Sequence, residues 1–413
     1  MATVLVPAGE GRVEDWGAAT RRLDQLREFV RCSLRVGRLL LDEVLTEQFR
    51  NDDPSQYRKL ASKAGGELAM LLRMARRALT DDGDAREITD LARDLARHAR
   101  APHLRRSLVT RPSRAPMYAL AHLCLSELGV PDESFDRLAR TALTSSVRWA
   151  NERVAYRMLD AAWTRHIAFG DAELSHPAIA LSPIGAGVDL LEATTEDAYA
   201  FTHALPYATD FGRLPLPLPA KVQRLVELAE AIVVKSLDED DLDLLAEVLM
   251  APAILRVPWT PTLEFGWLVL ERVWNEFGFV PGPGLPDPVE GETRAQRVRR
   301  VLGTTYHTSF AAGLCCATLI VCDALPPESY RCETRDAEPP AGKGTMWRLA
   351  WNECSGTQQD GLVVIRLGFQ LRRGVERMDV AAIRDVVLSA AEMGRLEHPL
   401  FAQALELLER LGC

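Results

Sequence analysis

From about Trp16 to Phe49, and again from Tyr57 to Thr80, apolar residues return every three or four positions among Arg, Glu and Asp. That period gathers the apolar side chains on one helical face and predicts long amphipathic helices. Capping chemistry marks helix starts at Asp53-Pro54-Ser55, at Pro131-Asp132-Glu133 and at Thr194-Thr195-Glu196-Asp197, where an acidic residue follows a Thr by three. Breaks are expected at Gly65-Gly66, at Asp81-Asp82-Gly83-Asp84 and at Gly129. Stops at this spacing give helices of roughly 12 to 25 residues joined by short turns, the pattern of stacked helical hairpins in an all-α protein.

One internal echo points to the arrangement. The segment 118–128, followed by 131–135, resembles 310–325 followed by 327–330: a buried helix, a proline turn, the next helix. Two copies suggest duplicated architecture, an α/α solenoid or a toroid of helix pairs. Three stretches resist helix: 214–219 should be extended, 281–288 is a loop, and 334–344 is rich in Pro, Gly and charge. The reading is a main helical domain over 1–280 and a C-terminal helical segment over 293–413, either separate or continuous with the first. The β-branched run at 361–371 could be a strand, but Arg366, Gln370 and Arg373 lie at helical spacing, and helix is preferred.

With 413 residues, 47% of them hydrophobic and 26% charged, the chain has ample material for a large core. A net charge of -9, with no basic run joined to aromatics, argues against nucleic acid as a partner. The runs Arg294–Arg300 and Arg97–Arg100 read as solvated helix faces. The first residues lack a signal-peptide pattern, and no apolar run reaches the roughly 18 residues of a membrane span; a cytoplasmic protein without membrane partners is expected. Cys32, Cys124, Cys315, Cys316, Cys322, Cys332, Cys354 and Cys413 show no C-x-x-C pair and read as small hydrophobes rather than a disulfide framework.

No phosphate-binding loop, G-x-G-x-x-G, H-E-x-x-H or G-x-S-x-G occurs. Two polar clusters in apolar surroundings remain. In Phe201–Arg213, a helix beginning near Thr195 puts Tyr199 and His203 on one face, and Pro206 is expected to kink or end it. Tyr207, Thr209 and Asp210 would then occupy a turn closed by Gly212, where a His, a Tyr and an Asp can converge as an acid–base set; the alternative is a satisfied core histidine and a capping Asp210. In Gly303–Cys316, Tyr306 and His307 open an apolar helix whose Ala311, Ala312 and Gly313 admit a close neighbour. His203 and His307, if they face each other, could hold a metal with Cys315 or Asp210, but the spacing matches no zinc pattern, and no metal or other cofactor is expected. The acidic run Asp238–Asp243 is like the aspartate-rich segments of terpene enzymes, yet charge at a helix N-terminus explains it more simply.

The segments Thr202–Leu205 and Tyr207–Gly212, with Tyr306-His307-Thr308, resemble a helical family of actinobacteria whose members are similar to accessory proteins of peptide natural-product pathways. The resemblance implies a tailoring or maturation role on a ribosomally made peptide such as a lanthipeptide, without the Cys-His-Gly zinc motif of lanthionine cyclases. The expected function is a metal-independent tailoring enzyme, or enzyme subunit, working by proton transfer as in thioether cyclisation. His203 or His307 would be the base, Tyr207 or Tyr306 the acid, and Asp210 would orient a histidine, with Thr202, Thr209, Arg213 and Thr308 binding substrate. The rival reading is a non-catalytic scaffold that presents a peptide to a partner enzyme. An isoprenoid-type cyclase rests on the acidic run alone.

Overall fold

Every regular element among the described residues is helical. The computed structural model describes residues 12–145, 153–170, 177–216, 218, 221–282, 290–327, 345–351 and 362–413. The chain opens with α1 (Arg12–Leu39), which runs on through a π-helical turn, then α2 (Glu47–Asp52), α3 (Pro54–Ala78) and α4 (Asp82–Ala99). Next come α5 (Pro102–Thr110), α6 (Ala115–Glu127), α7 (Glu133–Thr144) and α8 (Ala155–Phe169). Two single turns, α9 (Ala178–Leu181) and α10 (Pro183–Ala186), lead into α11 (Thr195–Thr209), α12 (Val222–Glu239), α13 (Leu242–Val248) and α14 (Ala251–Leu255). Then follow α15 (Pro261–Phe277), α16 (Arg294–Val321), α17 (Met346–Trp351), α18 (Val363–Glu376), α19 (Val380–Glu392) and α20 (Pro399–Leu411).

The capping chemistry acts where the sequence places it. Asp53 and Asp132 accept backbone N–H groups at the starts of α3 and α7, and Thr194 and Asp197 form a reciprocal capping box on α11. The β-branched run at 361–371 falls largely within α18, a helix. Two expectations are corrected. Gly65-Gly66 does not break α3, which packs along α4, α6 and α16; that burial outweighs roughly 1 kcal/mol of lost helix propensity per Gly. Pro206 does not end α11, which continues to Thr209 before Asp210 turns left-handed.

Six helices close into a ring. α3 packs on α6, α6 on α8, α8 on α11, α11 on α13, α13 on α16, and α16 returns to α3. Outside it, α1 covers α16 and α3, α4 covers α3 and α6, and α12 backs α13, with α15 behind α12. Of the two arrangements that the echo suggests, a solenoid or a toroid, the ring is closer to the second, and the echo's two buried helices are its members α6 and α16; residues 328–330 of the second copy lie outside the described residues. α16 packs against α1, α3 and α13, while α18–α20 form a layer on the outer side of α12. The small residues of α16 do bring a neighbour close: a Cβ on Gly313 would lie 2.6 Å from the Ser33 side chain of α1.

Residues 214–216 carry no helix, and most of 281–288 and all of 334–344 lie outside the described residues. Among the described residues, no helix is long and apolar enough to cross a membrane.

Candidate active cleft

The ring surrounds a cavity of about 2030 Å³ that takes lining side chains from all six of its helices and from α5. Its lip is basic: Lys59 and Lys63 on α3, Arg106 on α5, Arg111 and Arg114 ahead of α6, and Arg157 on α8, all exposed. Among the described residues, Lys59, Arg106, Arg111 and Arg114 pair with no carboxylate. The floor is acidic, with Glu67 on α3, Asp160 on α8, and Asp243 and Glu247 on α13. Arg106, Arg111 and Arg114 come from one basic stretch, 97–114, which has six Arg and no acidic residue, and packing adds Lys59, Lys63 and Arg157 from α3 and α8.

The floor is built around α13. Asp241 caps it, accepting Leu244 N–H at 3.0 Å, and residues four apart, Asp243 and Glu247, then share one face. Opposite, α16 presents His307, whose Nε2 is 3.0 Å from Asp243 Oδ2 and whose Nδ1 is 3.0 Å from Glu67 Oε2. Tyr199 donates its hydroxyl to Asp243 Oδ2 at 2.8 Å, and Thr202 donates to Glu247 Oε2 at 2.5 Å. Burial opposes a charge on His307, but Asp243 and Glu67 outweigh it and push its pKa up to about 11. Burial also acts against ionised Asp243, where the His307 and Tyr199 contacts win and the carboxyl is held below its usual range. Glu247 and Asp160 are pushed up by burial.

His203 reaches the cleft from α11, one turn after Tyr199. Its Nδ1 lies 2.6 Å from the Tyr199 carbonyl oxygen. A carbonyl can only accept, so Nδ1 carries the proton and, in the neutral ring, Nε2 keeps its lone pair. Tyr156, Tyr199 and Tyr207 surround the imidazole at centroid distances of 5.6, 5.8 and 6.1 Å. Burial pushes the Tyr199, Tyr207 and Tyr306 hydroxyls up, so all three stay protonated.

Of the residues singled out in the sequence, Thr202, His203, Tyr207, Tyr306, His307 and Thr308 line this cavity together. Three do not. Asp210 is fully buried behind it, accepting from Arg73 Nη1 at 2.6 Å and Trp163 Nε1 at 2.8 Å; it orients no histidine. Arg213 pairs with Asp210, and Thr209 donates to the Leu205 carbonyl and accepts Gly212 N–H, finishing α11. His307 fits the part of a base less well than His203, since Asp243 and Glu67, which clamp its ring, favour its protonated form. Cys315 is buried apart from the cavity lining.

The acidic run divides its labour. Asp238 pairs with Arg372 and Arg373 of α18, Asp240 accepts backbone N–H groups at the start of α17, Asp241 caps α13, and Asp243 faces the cleft. Helix-terminal charge therefore accounts for part of the run and misses Asp243. Glu67 and Glu247 were also missed, because each stands alone in an ordinary amphipathic pattern; the i, i+4 pair Asp243/Glu247 on an otherwise apolar segment was the available signal.

A family model described as a domain of unknown function, DUF6895, matches residues 37–317. The matched span contains five helices of the ring whole and all but the last turn of the sixth, α16. No curated protein matches the chain, and neither does any solved structure.

Proposed function

The chain belongs to the DUF6895 family, and from its cleft we infer an enzyme that performs proton transfer on an anionic, peptide-sized substrate. One observation carries the reading: the cavity of about 2030 Å³ joins a basic lip, four of whose cations meet no carboxylate among the described residues, to a buried titratable floor. Small-molecule pockets hold roughly 300–1,000 Å³, so a chain-like substrate suits this volume better. The lip side chains match carboxylate or phosphate groups on it. The described cysteines are free thiols, which suits a reducing compartment, and we place the reaction in the cytoplasm.

The reaction that the peptide-tailoring resemblance implies fits this chemistry. His203 Nε2 takes the proton of a cysteine thiol, and the thiolate adds to the β-carbon of a dehydroamino acid. The His307 imidazolium is the positive charge that the floor offers to the enolate, set among the carboxylates that hold it. Tyr207 or Tyr306, both held protonated, delivers a proton to the α-carbon, and His203 returns its proton to the phenolate. No atom is gained or lost.

The test is a peptide carrying one dehydroalanine and one cysteine, in acidic, neutral and basic versions. Wild-type protein is expected to remove the iodoacetamide-reactive thiol of the acidic version without a mass change, and His203→Gln to slow this by about 100-fold or more. Wild-type rates equal to those without protein on all three peptides would sink the cyclase reading. Tight binding of the acidic peptide without turnover, abolished by Arg111→Glu with Arg114→Glu, would favour a peptide carrier.

A further inference from the structure

We propose that Asp243, Glu247 and His307 form a binding site for one divalent first-row transition ion, such as Mn²⁺ or Zn²⁺, at the floor of the cleft. One donor atom from each lies within 4.8 Å of the others, close enough for a small side-chain rotation to bring all three onto one ion. Two carboxylate oxygens and one imidazole nitrogen are a hard-to-borderline set, suited to Mn²⁺, Fe²⁺ or Zn²⁺ rather than to a soft ion such as Cu⁺. Three protein donors on a cavity wall leave positions open for water or substrate, as in catalytic rather than structural sites.

An independent observation points to a missing cation. Asp243 is only 3% exposed, yet its Oδ1 has no hydrogen-bond partner among the described residues. A buried carboxylate oxygen left without a donor costs several kcal/mol unless something positive meets it. Three carboxylates, Glu67, Asp243 and Glu247, stand around His307, and His203 lies beside Glu247.

The surroundings also have the layout of a metal centre's outer shell. Glu67 stands at His307 Nδ1, where a carboxylate directs the other ring nitrogen toward an ion. Tyr199 and Thr202 donate to the two carboxylates and hold their rotamers. His203, 3.7 Å from Glu247 Oε2, stands beside the ion rather than among its ligands. A bound ion takes the place of the proton on His307 Nε2, so the floor keeps a positive centre in either state.

The experiment is titration calorimetry of the full chain, dialysed against a chelator, with ZnCl₂ and with MnCl₂. One ion per chain is expected, with affinity weakened at least about tenfold by Asp243→Asn or Glu247→Gln and about tenfold by Glu67→Gln. Asp90→Asn, on the outer face of α4, should leave it unchanged. Because a floor variant could unfold, circular dichroism accompanies each one, and CoCl₂ added to wild-type protein gives a readout that needs no variant: a paramagnetically shifted imidazole N–H resonance. Absence of saturable binding, affinity that survives both carboxylate variants in folded protein, or Co²⁺ binding without that resonance would each overturn the site. Binding is read apart from turnover, so a protein that takes the ion but cyclises no peptide fails only the proposed reaction.

Discussion

Arg73 Nη1 meets Asp210 Oδ1 at 2.6 Å, although the two residues are 137 positions apart. Both are almost fully buried, and the pair ties the middle of α3 to the end of α11, with Trp163 of α8 donating to the same oxygen. Three helices of the ring are thereby held at one point behind the cleft. Removing one partner from a buried pair costs about 3–5 kcal/mol, and because Arg73 also donates to Glu127 at 2.6 Å, the loss of Asp210 falls at the lower end of that range. Asp210→Asn should therefore lower unfolding free energy by about that amount in urea titrations. The apolar double replacement Arg73→Met with Asp210→Leu should recover part of the loss, and a single variant as stable as wild type would show that the staple is dispensable.

The same pair sets an acid limit. Burial opposes an ionised Asp210, but Arg73, Trp163 and Arg77 outweigh it and hold the carboxyl well below its usual range. A depressed carboxylate contributes stability above its unfolded pKa of about 3.9, and that stability is lost as pH falls through the folded value.

His122 acts earlier in the same direction. It is fully buried, and burial together with Arg100 lowers its pKa to about 4. Between about pH 6.5 and 4 the unfolded chain binds the proton and the folded chain does not, so stability declines as pH falls through that window. Melting temperature should drop between pH 7 and pH 5. His122→Gln should show a smaller drop over the same interval, and an equal drop would remove His122 as its source.

Two glycines of α16 should respond oppositely to the same substitution. Gly313→Ala places a Cβ 2.6 Å from the Ser33 side chain and should destabilise by about 1–3 kcal/mol. Gly303 is exposed with nothing near its Cβ position, so Gly303→Ala should stabilise by up to about 1 kcal/mol through helix propensity. Thermal denaturation of the two variants side by side decides it, and destabilisation of both would place an unseen constraint at Gly303.

Thiol reactivity should sort by burial. Cys124, Cys315 and Cys316 are completely buried, with burial pushing Cys124 up to about 12 and the other two up as well. Only the thiolate reacts, so they should resist alkylation in native protein, while exposed Cys413 is modified at once. Peptide mass spectrometry after brief iodoacetamide treatment reads this, and early labelling of Cys315 would reveal opening of the ring at α16.

Local chemistry made much of the architecture legible in the chain. Period-three-and-four patterning foretold helices, Asp53, Asp132 and Thr194 marked helix starts, and the echo of 118–128 with 310–325 pointed to two buried helices that both belong to the ring. These signals depend on neighbours within a few residues, where sequence distance and spatial distance coincide. They failed at Gly65-Gly66 and Pro206 because burial against other helices outweighed local propensity.

The cleft was half legible for the same reason. His203, Tyr207, Tyr306 and His307 stood out as polar groups in apolar helices, and all four do line it. Asp210 stood out equally and turned the other way, toward Arg73, since the αL turn after α11 decides which side of the ring a side chain enters. What belongs to the sequence alone is therefore the helices, many of their ends and the polar residues that need partners. Only the closed ring decides the partners: it brings Glu67, Asp243, Glu247 and His307 together from three helices and adds Lys59, Lys63 and Arg157 to the lip arginines of 97–114, because charges distant along the chain interact only once packing has fixed the distance between them.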